Sequence, residues 1–125
     1  MITPSGQHVL IVEDDALIAL ELESTLSEAG YAVVGPAATV HAALGCLANH
    51  RILSGAVLDI NLGDEDVFSV ADALSASQIP FLFLTGHSNA VLPSRHRRRP
   101  IVRKPYLEAA LLATLASTIA AERQG

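Results

Sequence analysis

Ala56-Val57-Leu58 is an apolar run without polar alternation, and it ends on a carboxylate, Asp59. A strand with one wet face alternates, whereas a run apolar at every position suits a strand covered on both faces, as in a parallel sheet. Asp59 then lies at the carboxyl end of that strand, where open α/β sheets place their chemistry. A second apolar run, His8-Val9-Leu10-Ile11-Val12, ends in Glu13-Asp14-Asp15. If both strands belong to one sheet, Asp14 and Asp59 meet at the same edge. Two like charges about 4 Å apart repel by roughly 4 kcal/mol at an effective dielectric of 20. Such a cluster calls for a hard divalent cation with oxygen ligands, of which Mg²⁺ is the usual one.

The rest of the chain supplies alternating strands and helices. Ile18, Leu22, Thr25, Leu26 and Ala29 recur at helical spacing, predicting a helix over Ala16–Ala29 with Leu17 and Leu20 off its core stripe. Asp14 or Asp15 can cap this helix, and Gly30 ends it. Tyr31–Pro36 reads as a second strand. Thr39 caps a second helix with Val40, Ala43, Leu44 and Leu47 on one face, weakened by Gly45 and carrying Cys46 as a core residue. Gly63–Asp66 reads as a turn opening a third helix, whose stripe is Val67, Val70, Ala71 and Leu74, with Asp64, Glu65 and Asp66 as favourable charges at its start. Phe81–Leu84 is a fourth buried strand running into Thr85-Gly86. Ile101-Val102 is a fifth, running into Arg103-Lys104-Pro105. The last helix covers about Leu107 to Glu122, with Leu111, Leu115, Thr118 and Ile119 inward. Five strands alternating with helices imply a doubly wound α/β sheet with right-handed crossovers and no internal domain boundary over residues 1–125. Met1–Gln7 reads as a loose arm.

One interval breaks the alternation. Between Thr85 and Ile101 Pro93 interrupts any helix, and only Ala90, Val91 and Leu92 offer apolar contact. The expected fourth helix is short or irregular and weakly held.

Half of the 125 residues are apolar and 17% are charged, which excludes a disordered chain. The net charge of −5 argues against general nucleic-acid binding, and the single cysteine fits a reducing compartment. No secretory pattern opens the chain, and Ala109–Ala121 is too short to span a bilayer, so a cytoplasmic protein without membrane insertion is expected. His8, His41, His50, His87 and His96 lack ligand spacing.

Placed side by side, the strand ends bring Glu13-Asp14, Asp59, Thr85 and Lys104 to one edge. Each has an ordinary reading alone: a carboxylate after a strand commonly caps a helix, a threonine sits in a turn, a lysine is a solvated charge. Asp15 keeps that reading as the helix cap. Jointly the set resembles the receiver domain of two-component response regulators, over essentially the whole chain. The separations are 45 residues from Asp14 to Asp59, 26 to Thr85 and 19 to Lys104, the last two a little short for that family. Pro80-Phe81-Leu82-Phe83-Leu84-Thr85-Gly86 is also similar to the FATGUY subgroup, with Leu84 in place of its alanine and His87-Ser88 following where the subgroup carries an aromatic residue.

The resemblance implies a flavodoxin-like (βα)5 receiver. Asp59 would take a phosphoryl group from a sensor histidine kinase. Asp14, Asp59 and the backbone carbonyl of Asn61 would hold Mg²⁺, with Glu13 acting through water. Thr85 and Lys104 would bind the phosphoryl oxygens. Signalling would pass to a downstream protein or phosphotransfer partner. An aspartyl phosphate is an established covalent intermediate, and cations stabilise the charge spread over the oxygens in phosphoryl transfer. Ile101 departs from the pattern: many receivers carry an aromatic switch residue three positions before the lysine. Activation is therefore expected to order Gly86–Pro100 through Thr85. The run Arg95, Arg97, Arg98, Arg99 is the expected partner surface.

Two other function classes stay open on the residues alone. A Toprim-like Mg²⁺ enzyme acting on nucleic acid pairs a strand-one Glu with Asp-x-Asp, but Asn61 breaks that pair and Lys104-Pro105 goes unexplained. A receiver-like interaction module without phosphorylation is opposed by the full acidic and lysine set.

Overall fold

The computed structural model describes residues 6–49, 52–86 and 92–124. Five parallel strands form one sheet: β1 His8–Val12, β2 Ala32–Ala37, β3 Gly55–Asp59, β6 Phe81–Thr85 and β7 Ile101–Arg103, in the order β2-β1-β3-β6-β7. Two-residue strands β4 Asn61–Leu62 and β5 Glu65–Asp66 pair antiparallel as a small hairpin after β3. The helices are α1 Ala16–Glu28, α2 Val40–Asn49, α3 Phe68–Ala76 and α4 Glu108–Gln124. Sheet order reverses direction at β1 and β3, and ligands of doubly wound sheets bind beyond the strand ends at that reversal. β1 and β3 are in register from Val9↔Gly55 to Val12↔Leu58, so Glu13 and Asp59 leave the sheet side by side.

Alternation along the central strands divides the core into two layers. Leu10, Val12, Ala56, Leu58, Phe81 and Phe83 face α2 and α3, joined by Val67, Val70, Ala71 and Leu74. Val9, Ile11, Val57, Leu82 and Leu84 face α1 and α4, joined by Leu22, Leu26, Leu111, Leu115 and Ile119. All five residues of β3 and of β6 are buried, which accounts for their unalternated apolar sequences. Gly55 sits where α4 crosses the start of β3; a Cβ there would lie 3.1 Å from Cγ1 of Ile119.

Most local expectations hold. Asp15 caps α1, its Oδ1 accepting from the amides of Leu17 and Ile18 at 3.0 and 3.2 Å. Gly30 follows the helix at φ +103. Leu17 and Leu20 are indeed exposed, at 65% and 63%. Thr39 Oγ1 accepts from the Ala42 amide. The α3 stripe is fully buried.

Four local expectations need correction. The second strand lies one residue later than Tyr31–Pro36. Leu44 is exposed: the inward face of α2 is centred on Ala43, with Val40, Cys46 and Leu47 at its flanks, and one residue of helical advance turns Leu44 away by about 100°. Gly63–Asp66 does not open α3 but makes the hairpin. There Glu65 Oε1 accepts from the Val40 amide at the start of α2, while Asp66 Oδ1 accepts from Phe68 at the start of α3. Finally, the last helix begins at Glu108, leaving Leu107 outside it and 78% exposed.

The interval before β7 is irregular as expected, holding a single 3-10 turn at Ser94–His96 among the described residues. Its described part, 92–100, makes contacts that the apolar pattern does not show. Arg95 forks onto Asp72 of α3 at 2.6 and 3.0 Å, and His96 is buried at 2% exposure with Nε2 2.8 Å from the same carboxylate. Arg99 lies over the Phe81 ring at 4.3 Å and donates to Ser75 Oγ. A bidentate ion pair and a buried ring take the place of the missing apolar stripe. His87, Ala90 and Val91, on which part of the sequence expectation rested, lie outside the described residues, as do His50 and most of the Met1–Gln7 arm.

Candidate functional site

Four strand ends build the site. Asp59, the last residue of β3, is 6% exposed; Thr85, the last of β6, is 2% exposed; Glu13, just past β1, is 1% exposed. Lys104, just past β7, reaches back across them. Its Nζ donates to Oε1 of Glu13 at 2.7 Å and to Oδ2 of Asp59 at 3.1 Å. Its backbone N–H donates to the carbonyl of Thr85 at 2.8 Å, extending the β6–β7 pairing to the lysine itself. The Lys104-Pro105 peptide is cis.

The other oxygen of each carboxylate accepts from a backbone amide. Asp59 Oδ1 accepts from Asn61 at 3.2 Å, and Glu13 Oε2 accepts from Asp15 at 3.2 Å. Glu13, Asp14 and Asp59 each offer an oxygen within 4.8 Å of the other two. Asp14 is exposed and faces the hairpin, whose Gly63 adopts φ +61; a Cβ there would lie 3.6 Å from Asp14 Oδ2.

Electrostatics follow from this crowding. Burial, then the hydrogen-bonded Asp59 carboxylate, push the Glu13 carboxyl up to about 7, against the opposing pull of Lys104 and the Asp15 amide. Burial works against the Lys104 ammonium, but its bonds to Glu13 and Asp59 outweigh that and leave it above the usual lysine range. The Lys104 ammonium thus bonds two of three clustered carboxylates, and Glu13 is the one whose carboxyl is raised. A hard dication fits this all-oxygen set, and Glu13, Asp14 and Asp59 are the side chains that could hold it.

Beside Lys104, a cavity of about 360 Å³ opens between α1 and the start of α4, lined by Ile18, Glu21, Thr25, Pro105, Tyr106 and Glu108. Burial, together with Glu21, Glu13 and Glu108, pushes the Tyr106 hydroxyl up to about 12.

The response regulator receiver domain matches residues 9–116. The chain belongs to that family. The receiver is similar to the phyllosphere-induced regulator PhyR of Methylorubrum extorquens, at 28% identity over 90% of this chain and 43% of that protein. It is also 32% identical, over 73% of its length and 44% of theirs, to the transcriptional regulatory protein PdtaR of Mycobacterium tuberculosis. The chain thus spans less than half the length of these curated relatives. Among solved structures, SdrG from Sphingomonas melonis Fr1 superposes with a TM-score of 0.77 at 38% identity, covering 98% of both chains. Receivers are signalling domains rather than enzymes of the ordinary kind, and the Toprim-like alternative is set aside.

The structure brings Glu13, Asp14, Asp59 and Lys104 together as the sequence suggested, with Thr85 at the neighbouring strand end. Glu13 is not a peripheral group: it is the most buried of the three acids and the closer partner of Lys104. Arg95 pairs with Asp72 of α3 while its side chain stays 56% exposed, Arg97 and Arg98 stand exposed, and the half-buried Arg99 lies over the Phe81 ring. The residue that sequence reasoning missed is His96, because a lone histidine inside an arginine run carries no pattern that marks it as buried. No helix among the described residues is long and apolar enough to cross a membrane.

Proposed function

We propose that this receiver accepts a phosphoryl group on Asp59 from the phosphohistidine of a sensor histidine kinase, in a Mg²⁺-dependent reaction in the cytoplasm. It signals by contact with a downstream protein or by onward phosphotransfer. The observation that carries this reading is the half-buried Lys104 ammonium bridging the buried carboxylates of Glu13 and Asp59 at the reversal point of the sheet. A structural lysine there would be costly, since burying charges repays only when the geometry is good. A lysine waiting beside a nucleophilic carboxylate has a use: it can move onto the incoming phosphoryl oxygens.

In the transfer, one Asp59 oxygen forms a bond to phosphorus as the phosphorus–nitrogen bond to the kinase imidazole breaks, and the electron pair leaves with that nitrogen. The amide of Asn61, already on Oδ1, holds the carboxylate in place. Glu13 keeps Lys104 aimed at the reaction centre. Asp14, Asp59 and the Asn61 carbonyl would hold Mg²⁺, with Glu13 reaching it through water; when bound, the ion neutralises charge on the transferring group. Thr85 would donate its hydroxyl to the bound phosphoryl group. An acidic partner segment would meet Arg97 and Arg98.

Incubation with acetyl phosphate and Mg²⁺, followed by intact-mass measurement, tests the reading. One added phosphoryl group on the wild type and none on Asp59→Ala is expected. Modification of Asp59→Ala, or label on a histidine, overturns the assignment; no modification of the wild type favours the interaction module without phosphorylation.

A further inference from the structure

The imidazole of His96 is enclosed by three phenyl rings. Phe68 stacks on it with centroids 6.2 Å apart and planes at 21°, while Phe81 and Phe83 meet it edge-on at 5.9 and 6.0 Å. Nε2 lies 2.8 Å from Oδ1 of Asp72. Arg95 holds that carboxylate below its usual range, so it only accepts and Nε2 carries the hydrogen. Nδ1 is buried with no hydrogen-bond partner. Buried polar atoms without partners are uncommon in native proteins, and each needs a reason. Here the ring is kept inside by contacts around it: Arg95 on Asp72, Arg99 on Phe81 and Ser75, and the imidazole itself on Asp72.

The cage is connected to the phosphoacceptor site by strand geometry. Phe81, Phe83 and Thr85 alternate onto the same face of β6, the face toward α3. Thr85 stands at the site end of this row, and His96 packs on the two rings behind it. The position where many receivers carry an aromatic switch is Ile101, 42% exposed on the edge strand. His96 is the ring that the segment following Thr85 contributes to the row.

We infer that His96 is the moving ring of this receiver's switch, a buried clasp whose closure is coupled to the position of Thr85. The inference rests on the phosphoacceptor reading of Asp59 for what drives Thr85, but the coupling itself belongs to the free protein. When Thr85 turns toward a phosphoryl group it gives up volume at the end of the row. Phe83 and the imidazole follow, and the segment 92–99 tightens on α3. The unpartnered Nδ1 opposes the closed state, so its closure can respond to a small push instead of being fixed. Coupling is reciprocal: loosening the clasp must also displace Thr85.

Amide exchange and side-chain NMR on the whole chain test this, with Mg²⁺ and beryllofluoride as the phosphoryl mimic and Asp72→Asn as the loosened clasp. Asp72 is half exposed, so the substitution leaves the core intact. The amides of His96, Arg97 and Arg99 donate to Pro93, Ser94 and His96, so they report closure. Beryllofluoride should slow their exchange at least tenfold and shift the His96 ring signals while Nε2 keeps its hydrogen. Asp72→Asn should speed the same amides and move the Thr85 signals with no ligand present. The clasp is refuted if Asp72→Asn leaves Thr85 in place, or if beryllofluoride moves Thr85 while exchange at 96, 97 and 99 is unchanged or faster. If beryllofluoride moves nothing near Asp59, the phosphoacceptor reading fails instead, and the Thr85 response in Asp72→Asn alone decides the coupling.

Discussion

Glu13 offers a direct measure of how much the acidic cluster costs the fold. Its carboxyl rises from an ordinary 4.5 to about 7 on folding, through burial first and the Asp59 carboxylate second. An acid whose folded value is raised binds more protons folded than unfolded across that interval, so stability falls as pH rises through it. The contribution is fully present below about 4.5 and lost above about 7. At 1.36 kcal/mol per pH unit, the window is worth about 3 kcal/mol, a sizeable fraction of the stability of a small domain. Glu13→Gln keeps the shape and an acceptor for Lys104 but cannot ionise. In chelator-treated protein, urea unfolding of the two proteins from pH 4.5 to 8 should show wild type losing about 3 kcal/mol relative to the variant, with most of the change between pH 5 and 7. Added Mg²⁺ at pH 8 should return more stability to wild type than to Glu13→Gln, because only wild type presents the full carboxylate charge. A difference that stays flat with pH would falsify the raised Glu13 carboxyl.

Other outcomes follow from the same geometry. Asp14→Asn should abolish the Mg²⁺-dependent calorimetric signal while leaving the metal-free unfolding free energy unchanged or slightly raised, since Asp14 is exposed and one repelling charge is gone; unaltered Mg²⁺ binding would remove it from the ligand set. Gly55→Ala should destabilise by about 1–3 kcal/mol in urea titration, because its new methyl meets Ile119 at 3.1 Å, and a neutral result would mean that α4 yields easily there. In a Tyr31→Phe background, ultraviolet titration of Tyr106 should show ionisation near 12, moving down in Glu21→Gln; no movement would mean that burial alone holds it. Replacing Arg97 and Arg98 with serine should weaken partner binding and flatten its salt dependence without changing phosphorylation of Asp59, and equal affinity would clear that surface of a role.

The sequence by itself determined the doubly wound sheet of five strands and the acids at its edge. Short unalternated runs such as Phe81–Leu84 suit a strand covered on both faces, and a parallel strand delivers its last residue to the same edge as its neighbours. Asp59 was therefore legible from its strand end, Glu13 and Lys104 only from the joint pattern of strand ends, and the Asp15 cap from a local cause. What only the tertiary structure decided depends on groups distant in sequence. Leu44 looked apolar enough to bury, but the rotation of α2 on the sheet turned it out. In the hairpin at Asn61–Asp66, Glu65 and Asp66 accept from amides at the starts of two different helices, a contact no local pattern announces. Glu13 was expected to act through water; its bond to Lys104, 91 residues away, was not legible in the sequence. The interval before β7 shows the limit most clearly. Hydrophobic pattern measures burial of apolar side chains, and by that measure the run Arg95–Arg99 had nothing to bury. In the fold it meets Asp72, Ser75 and three phenyl rings, so an imidazole goes inside and two guanidinium groups become the contacts that hold it there.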